Sequence, residues 1–373
     1  MTKNDVNPSN DATVISAESN TDVHESEIQQ ITPTADITGG TDVVDSDTAG
    51  TADSAEEFGD IKEGEQDDDP DSKTTAVQIK ELPYFPLEVV NEQVIIGRSG
   101  WLFYAGKNNV ESYNGSNLMS DDELEKCAET LAELTEVGKA CNKEIRFMVC
   151  PEKEAIYPEY YPTVDMYSEK TRADIVYEYM QGYPDVYYIY PKQALIDEKR
   201  NLQLYYTYDS HWNSAGGYIG AKELLSTLDI HMDDIKNMRV RRVASLSGDL
   251  LLLGNMSGDD NKKDVDFDLG YKPDTEIISA PETHAVEQTA DYITDAKDDR
   301  HFVMVGDSFN VQMMNYICRE YAHCSFVHAM TINGKEARNM ISDADILVLE
   351  TVERNLGDLP AYADSIRRQL EAD

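Results

Sequence analysis

The sequence predicts an α/β fold: a parallel sheet flanked by helices and preceded by a disordered acidic tail. Three observations carry this reading. Short apolar runs alternate with amphipathic helical patterns along the C-terminal three-quarters of the chain, as in strands joined by helical crossovers. One such run, Phe302–Val305, passes directly into Gly306-Asp307-Ser308 and then into a helix pattern. That is how a strand ends in a sharp turn and presents a serine at the mouth of a helix. The Lys153 loop, Asp209, His211, Ser308 and Glu350 all fall at expected C-terminal strand ends, where open α/β sheets gather functional groups.

In chain order, Asn91–Ile96 and Gly97–Tyr104 read as short strands around a glycine-containing turn. Ser120-Asp121-Asp122-Glu123 is a capping box. It opens a helix with Leu124, Cys127, Leu131, Leu134 and Val137 on one face. Ile145–Cys150 is a buried strand, and Pro151–Pro158 the loop at its end. Helices are expected over Thr171–Met180 and Lys192–Lys199, with a strand, Val186–Tyr190, between them. Leu204–Tyr206 reads as a strand leading to Asp209 and His211. Asn213 is placed to cap Ser214–Leu228, whose Gly216 and Gly217 permit close packing. The stretch Val243 to Asp295 breaks the alternation and reads as an irregular insertion, either substrate-contacting or passive. After Phe302–Val305 come a helix Phe309–Tyr321, a strand Ser325–His328, a helix Gly334–Ile341, a strand Ile346–Glu350 and a closing helix Leu359–Leu370.

The chain has 373 residues and a net charge of −40. Residues 1–73 are rich in Asp, Glu, Ser and Thr, hold Phe58 as their single aromatic, and run through Asp67-Asp68-Asp69-Pro70-Asp71. Such a segment cannot bury enough apolar surface to offset its ordering entropy, so a disordered tail is expected there. The catalytic domain is expected over 74–373, with its insertion at 243–295. Arg239-Val240-Arg241-Arg242 is the sole basic cluster of an acidic domain, which argues against nucleic acid as a partner. The five cysteines form no C-x-x-C pair and read as core residues, not a disulfide frame or a zinc site. Neither a signal peptide nor a transmembrane run is evident, so the expectation as written is a soluble chain.

The chemistry suggested by these residues is nucleophilic. Ser308 Oγ would be exposed on its turn, with the first N–H groups of the following helix aimed at an oxyanion beside it. In Asp209-Ser210-His211-Trp212-Asn213, His211 is the candidate base and Asp209 its orienting acid. The alternatives are a hydrogen-bonded structural histidine, a turn aspartate, or a metal site drawing on carboxylate and imidazole. No further cluster at recognisable spacing completes a ligand set, and no cofactor is called for.

The ordered set Gly100–Tyr104, Pro151-Glu152-Lys153 with Tyr157-Pro158-Glu159, Asp209–Asn213, Ser247-Gly248-Asp249-Leu250, Gly306–Phe309, Ile346–Glu350 and Glu353-Arg354-Asn355 resembles a known group. These are the SGNH-hydrolase-like polysaccharide O-acetyltransferases of the AlgX/AlgJ type, with their DHHW-like relatives. The resemblance runs from about Val89 to Leu356. It implies an SGNH-hydrolase-like domain with permuted block order, the Asp-x-His block preceding the serine block. It implies Ser308 as nucleophile, His211 as base and Asp209 as orienting acid, and O-acetyl transfer to a polysaccharide through an acetyl-serine. The same triad would serve a carbohydrate acetylesterase, and a non-catalytic glycan-binding role is a third reading. The expected partners are a polysaccharide or oligosaccharide acceptor and a membrane O-acyltransferase supplying acetyl groups. The resemblance suggests the cell envelope or exterior. This chain carries Ser210 where the family often has Thr or His. Lys153, Tyr157, Trp212, Asn213, Glu350 and Arg354 are the candidates for contacting substrate or supporting the triad. Trp101, Trp212, Tyr104 and Tyr157 are either sugar platforms or core.

Overall fold

The computed structural model describes residues 82–245, 248–256, 263–271, 274–281 and 289–372. The tail expected over 1–73 lies outside the described residues, as does Ser247. The described chain begins with an antiparallel meander, β1 (Glu88–Asn91), β2 (Val94–Ile96) and β3 (Leu102–Tyr104), followed by the short helix α1 (Asn109–Asn114). Then come α2 (Asp121–Ala140), β4 (Glu144–Cys150), α3 (Lys153–Ile156), α4 (Arg172–Met180), β5 (Tyr188–Ile189), α5 (Lys192–Glu198) and α6 (Ser214–Ser226). The insertion contributes β6 (Arg241–Ser245), α7 (Asp249–Leu253), β7 (Asp264–Asp268), β8 (Ile277–Ser279) and β9 (Ala290–Thr294). The chain closes with β10 (Asp298–Gly306), α8 (Asn310–Ile317), β11 (Tyr321–His328), α9 (Lys335–Asp343), β12 (Ile346–Val352) and α10 (Leu359–Leu370).

The central sheet has seven strands in the order β5-β4-β12-β10-β11-β9-β8. Its core, β5 to β11, is parallel, as the strand–helix alternation predicts. Alternate residues of β10 divide between two apolar layers. Phe302 and Met304 join the layer built with α6 and α8, while Val303 and Val305 join that of α2, α4, α9 and α10. This period of two is what a strand buried on both faces requires. The α2 stripe is buried at Leu124, Cys127, Leu131 and Leu134, and the Ser120/Glu123 capping box is formed in full. Each fully buried leucine on such a stripe contributes about 1.5–3 kcal/mol.

Three expectations need correction. The sheet is mixed, because β9 and β8 of the insertion extend it antiparallel from β11. Leu204–Tyr206 is not a strand of the sheet; its one ladder contact is the bridge between Tyr205 and Trp212. Side chains take up neighbouring backbone groups instead: Leu204 N donates to Tyr157 Oη, and Thr207 N to Asp264 Oδ1. Asp209 and His211 therefore do not sit at a strand end. Finally, Tyr321 belongs to β11 and not to the preceding helix, because its buried ring stacks on Phe302 within the core.

Gly217 sets how closely α6 and α8 approach. A Cβ there would overlap Gln312 Cβ and lie 2.9 Å from the Gln312 carbonyl carbon. Helix propensity alone favours alanine over glycine by about 1 kcal/mol, whereas overpacking costs about 1–3 kcal/mol. Gly217→Ala should therefore lower stability in urea unfolding. An unchanged or raised midpoint would show that the two helices separate without cost.

Candidate active site

The turn that carries Ser308 is built on the end of β10. Gly306 is the last strand residue, and a Cβ there would overlap Glu350 Oε2 from β12. Its neighbour Asp307 donates its backbone N–H to the same oxygen at 2.9 Å. Asp307 then uses its side chain in three directions. Oδ1 accepts from Phe309 N at 3.1 Å, and Oδ2 accepts from Val352 N at 2.9 Å and Asn355 Nδ2 at 3.1 Å. Ser308, partly exposed, is thus held on a turn clamped from both ends. Burial, and then the charge of Asp307, push the Glu350 carboxyl well above the usual carboxylate range. Cys150 Sγ donates to its Oε1 at 3.1 Å, so Glu350 is a buried support under the turn.

The expectation for the helix N–H groups needs correction. Phe309 N is taken by Asp307 Oδ1, Asn310 N by Asp307 O and Val311 N by Ser308 O. The side chain of Asp307 and the tight turn satisfy the donors that a free helix start would offer. Among the described residues the N–H of Ser308 itself has no acceptor, which leaves it available at the site.

Across from the serine stands the 206–213 loop. His211 Nε2 lies 2.6 Å from Ser308 Oγ, and His211 Nδ1 lies 2.7 Å from Asp209 Oδ1. Asp209 Oδ1 also accepts from His211 N at 2.9 Å, and Oδ2 from Asp249 N at 3.1 Å. Burial alone would raise Asp209, but the charge of His211 and these hydrogen bonds outweigh it and hold the carboxyl well below the usual range. Burial pulls the His211 imidazolium down, yet Asp209 outweighs that and leaves it above the ordinary histidine value.

The insertion supplies two carboxylates that sequence reasoning gave no role. Asp249 accepts from Ser210 N at 2.7 Å and Ser210 Oγ at 2.5 Å, and its Oδ2 stands 3.7 Å from His211 Nδ1. Burial, then the charge of Asp209, push Asp249 up to about 6. Asp264 accepts from Thr207 N and Tyr208 N at 2.8 and 2.7 Å. The Gly248-Asp249 step was visible in the sequence as part of an ordered motif; Asp264 carried no local signal. Asp209, His211 and Asp249 together bring three ligand atoms within reach of one metal ion.

The remaining candidates divide by burial. Lys153 is 1% exposed, and its Nζ donates to the carbonyls of Asp209 at 2.7 Å and Tyr206 at 3.0 Å. Burial lowers it to about 8. Tyr157 is buried against Trp101, and Trp212 is fully buried with Nε1 donating to Phe309 O at 2.9 Å. Asn213 caps α6 through Ala215 N and Gly216 N. Arg354 pairs with Glu152 at 2.7 Å, both side chains largely buried. Its guanidinium lies 4.8 Å over the Tyr104 ring, and its charge reaches Asp307, Asp249 and His211. Arg354 and Tyr104 are half-buried, whereas Trp101, Trp212 and Tyr157 belong to the core.

Lys153→Met keeps the apolar stem and removes the buried donor. Leaving its carbonyl acceptors unpaired costs about 1–3 kcal/mol for each buried group. The variant should lose at least about 2 kcal/mol in urea unfolding. A variant as stable as the parent would show that these carbonyls find other partners.

Comparison with known proteins extends this geometry. The family model of the SGNH hydrolase-like domain of the acetyltransferase AlgX matches residues 94–319. That stretch contains Asp209, His211 and Ser308, while Glu350 and Arg354 lie beyond it. A DHHW family protein from Eubacterium siraeum is similar in structure, at 12% identity over 75% of this chain and 98% of that one, with a TM-score of 0.50. Bacillus cereus PatB1 with a sulfonyl adduct is similar at 13% identity, over 74% of this chain and 98% of that one, with a TM-score of 0.52. The O-acetyltransferase domain of Pseudomonas putida AlgJ matches at 15% identity, over 71% and 92%, with a TM-score of 0.45. A search of curated proteins finds no match. On the strength of the matched domain, the chain belongs to the SGNH hydrolase-like acetyltransferase family of AlgX.

Proposed function

We propose that this protein is an O-acetyltransferase that moves an acetyl group to a polysaccharide hydroxyl through an acetyl-serine on Ser308. The observation that carries the reading is the unbroken chain from Ser308 Oγ through His211 to Asp209, with links of 2.6 and 2.7 Å. Membership of the AlgX family supports the acetyl group and the glycan acceptor. The unit proposed to do this is the domain 74–373.

In the first half-reaction His211 Nε2 takes the proton of Ser308 as Oγ attacks the acetyl carbonyl carbon. The tetrahedral oxyanion is stabilised by the free N–H of Ser308, with the Arg354 charge nearby. One well-placed donor of this kind is worth about 2.7–4 kcal/mol. Collapse breaks the bond to the donor's leaving oxygen, which takes the proton back from Nε2. In the second half-reaction a sugar hydroxyl gives its proton to Nε2 and attacks the acetyl-serine carbonyl. Ser308 Oγ then leaves and recovers the proton. Asp209 holds the tautomer and stabilises the imidazolium in both halves. Lys153 and Asp264 act on the reaction through the loop they hold, while Asp249 both holds Ser210 and stands 3.7 Å from His211 Nδ1, where its charge favours the imidazolium.

Water competes for the same acetyl-serine, and the half-buried His211 leaves it access. A bound hydroxyl wins if positioning gives it a high effective concentration, worth up to about 7–11 kcal/mol. Purified protein given p-nitrophenyl acetate and oligosaccharides should yield acetylated sugar faster than free acetate, as mass spectrometry of the products reports. Free acetate alone, across uronate, hexose and amino-sugar oligomers, would replace transfer by esterase activity. Ser308→Ala should abolish both products while leaving thermal unfolding nearly unchanged. A largely active Ser308→Ala would remove the mechanism.

The base must be neutral to act, so acetyl-group release should rise with pH. Because Asp209 holds His211 above its ordinary value, the inflection should lie above about 6.5. Asp209→Asn removes the charge that raises it, so the inflection should move to lower pH as the rate falls. An inflection that stays in place in Asp209→Asn would assign the titration to another group.

A further inference from the structure

A second polar cluster lies toward the opposite end of the central sheet. His301 on β10 and His323 on β11 are register partners, and Asp291 on β9 faces Ser325 of β11. The two imidazoles stack with centroids 3.7 Å apart and planes within 3°. His323 Nε2 lies 2.7 Å from Asp291 Oδ1. Ser325 Oγ donates to that same oxygen at 2.6 Å and lies 2.7 Å from His301 Nε2. One nitrogen from each histidine and one carboxylate oxygen therefore converge, all within 4.8 Å of one another.

We propose that Asp291, His301 and His323 form a binding site for a divalent transition-metal ion, zinc(II) being the ion that fits. Two imidazoles and one carboxylate are a zinc donor set, with a water completing four-coordination. Metal–ligand bonds of about 2.0–2.1 Å place tetrahedral ligand atoms about 3.3 Å apart. Small side-chain rotations open the present 2.7 Å contact to that spacing.

His301 Nε2 is the ring nitrogen on the side of Ser325 and the Asp291 carboxylate. The surroundings favour a cation: Asp345 accepts from His301 N at 2.8 Å, and the charge of Asp343 acts on the same ring. Asp291 and His323 are partly open to solvent, which gives the ion its entry, while His301 is 8% exposed.

The site is separate from the serine chemistry. His301 and Gly306, where the serine turn begins, are five positions apart on β10, about 17 Å at strand rise. An ion here would join β9, the insertion strand, to the parallel core strands β10 and β11. The same insertion carries Asp249 and Asp264 to the active-site loop.

The test is calorimetric titration of EDTA-stripped, dialysed full-length protein with zinc chloride, alongside the absorption spectrum of its cobalt(II) form. Wild type should bind one ion, with cobalt bands of tetrahedral coordination. His323→Ala and the isosteric Asp291→Asn should each weaken binding at least about tenfold, with circular dichroism showing that they fold. His211→Ala should bind as wild type does. Absence of saturable binding in wild type would overturn the proposal. So would wild-type affinity in both His323→Ala and Asp291→Asn, or loss of the ion in His211→Ala, which would put it on Asp209, His211 and Asp249.

Discussion

The arrangement depends on one constraint: the Asp209–His211 loop has no sheet strand of its own beneath it. A hydrogen bond of 2.6 Å between His211 and Ser308 demands a fixed loop, yet the segment makes one bridge, between Tyr205 and Trp212. Its backbone is held by charged side chains from elsewhere. Lys153 reaches up from the end of β4 to the carbonyls of Tyr206 and Asp209. Asp264 takes two N–H groups, and Asp249 takes that of Ser210. Burying an ammonium group is costly unless carbonyls and opposite charges compensate. Lys153 has both, since Asp249, Asp209 and Asp264 all favour its charged form.

The serine side solves the opposite problem. Its strand is deep in the sheet, so the difficulty is turning the chain within a crowded space. Gly306 removes the side chain that would strike Glu350, and Glu350 fixes the Asp307 N–H. Asp307 ties the turn to Val352 and Asn355 of the next segment. The two halves meet where Trp212 donates to the carbonyl of Phe309, so a buried indole sets the loop against the serine turn.

Much of this was legible because it is local. The β10 turn, the α2 capping box and the Asn213 cap each follow from a few neighbouring residues and a fixed period. The parallel order followed from alternation. What was not legible is set by long-range contact. The Leu204–Tyr206 run has strand composition, but Tyr157 and Asp264, distant in sequence, take its neighbouring backbone groups. The antiparallel edge came from an insertion whose pattern is irregular, and its β9 pairs with β11 although β10 and α8 lie between them in the chain. Arg354 was a candidate for the site, but its buried partner Glu152 could not be read because it lies two hundred positions away. Among the aromatics, residue type could not separate core from site; burial did, leaving Tyr104 half-buried beneath Arg354.

The central claim is that Ser308 becomes covalently acetylated because His211 removes its proton. Peptide mass spectrometry of protein quenched in acid during turnover of an activated acetyl ester reads this directly. The account predicts an acetyl mass on the peptide carrying Ser308 in the wild type, and its absence in His211→Ala. An acetyl group on another residue, or equal labelling of Ser308 without His211, would contradict it.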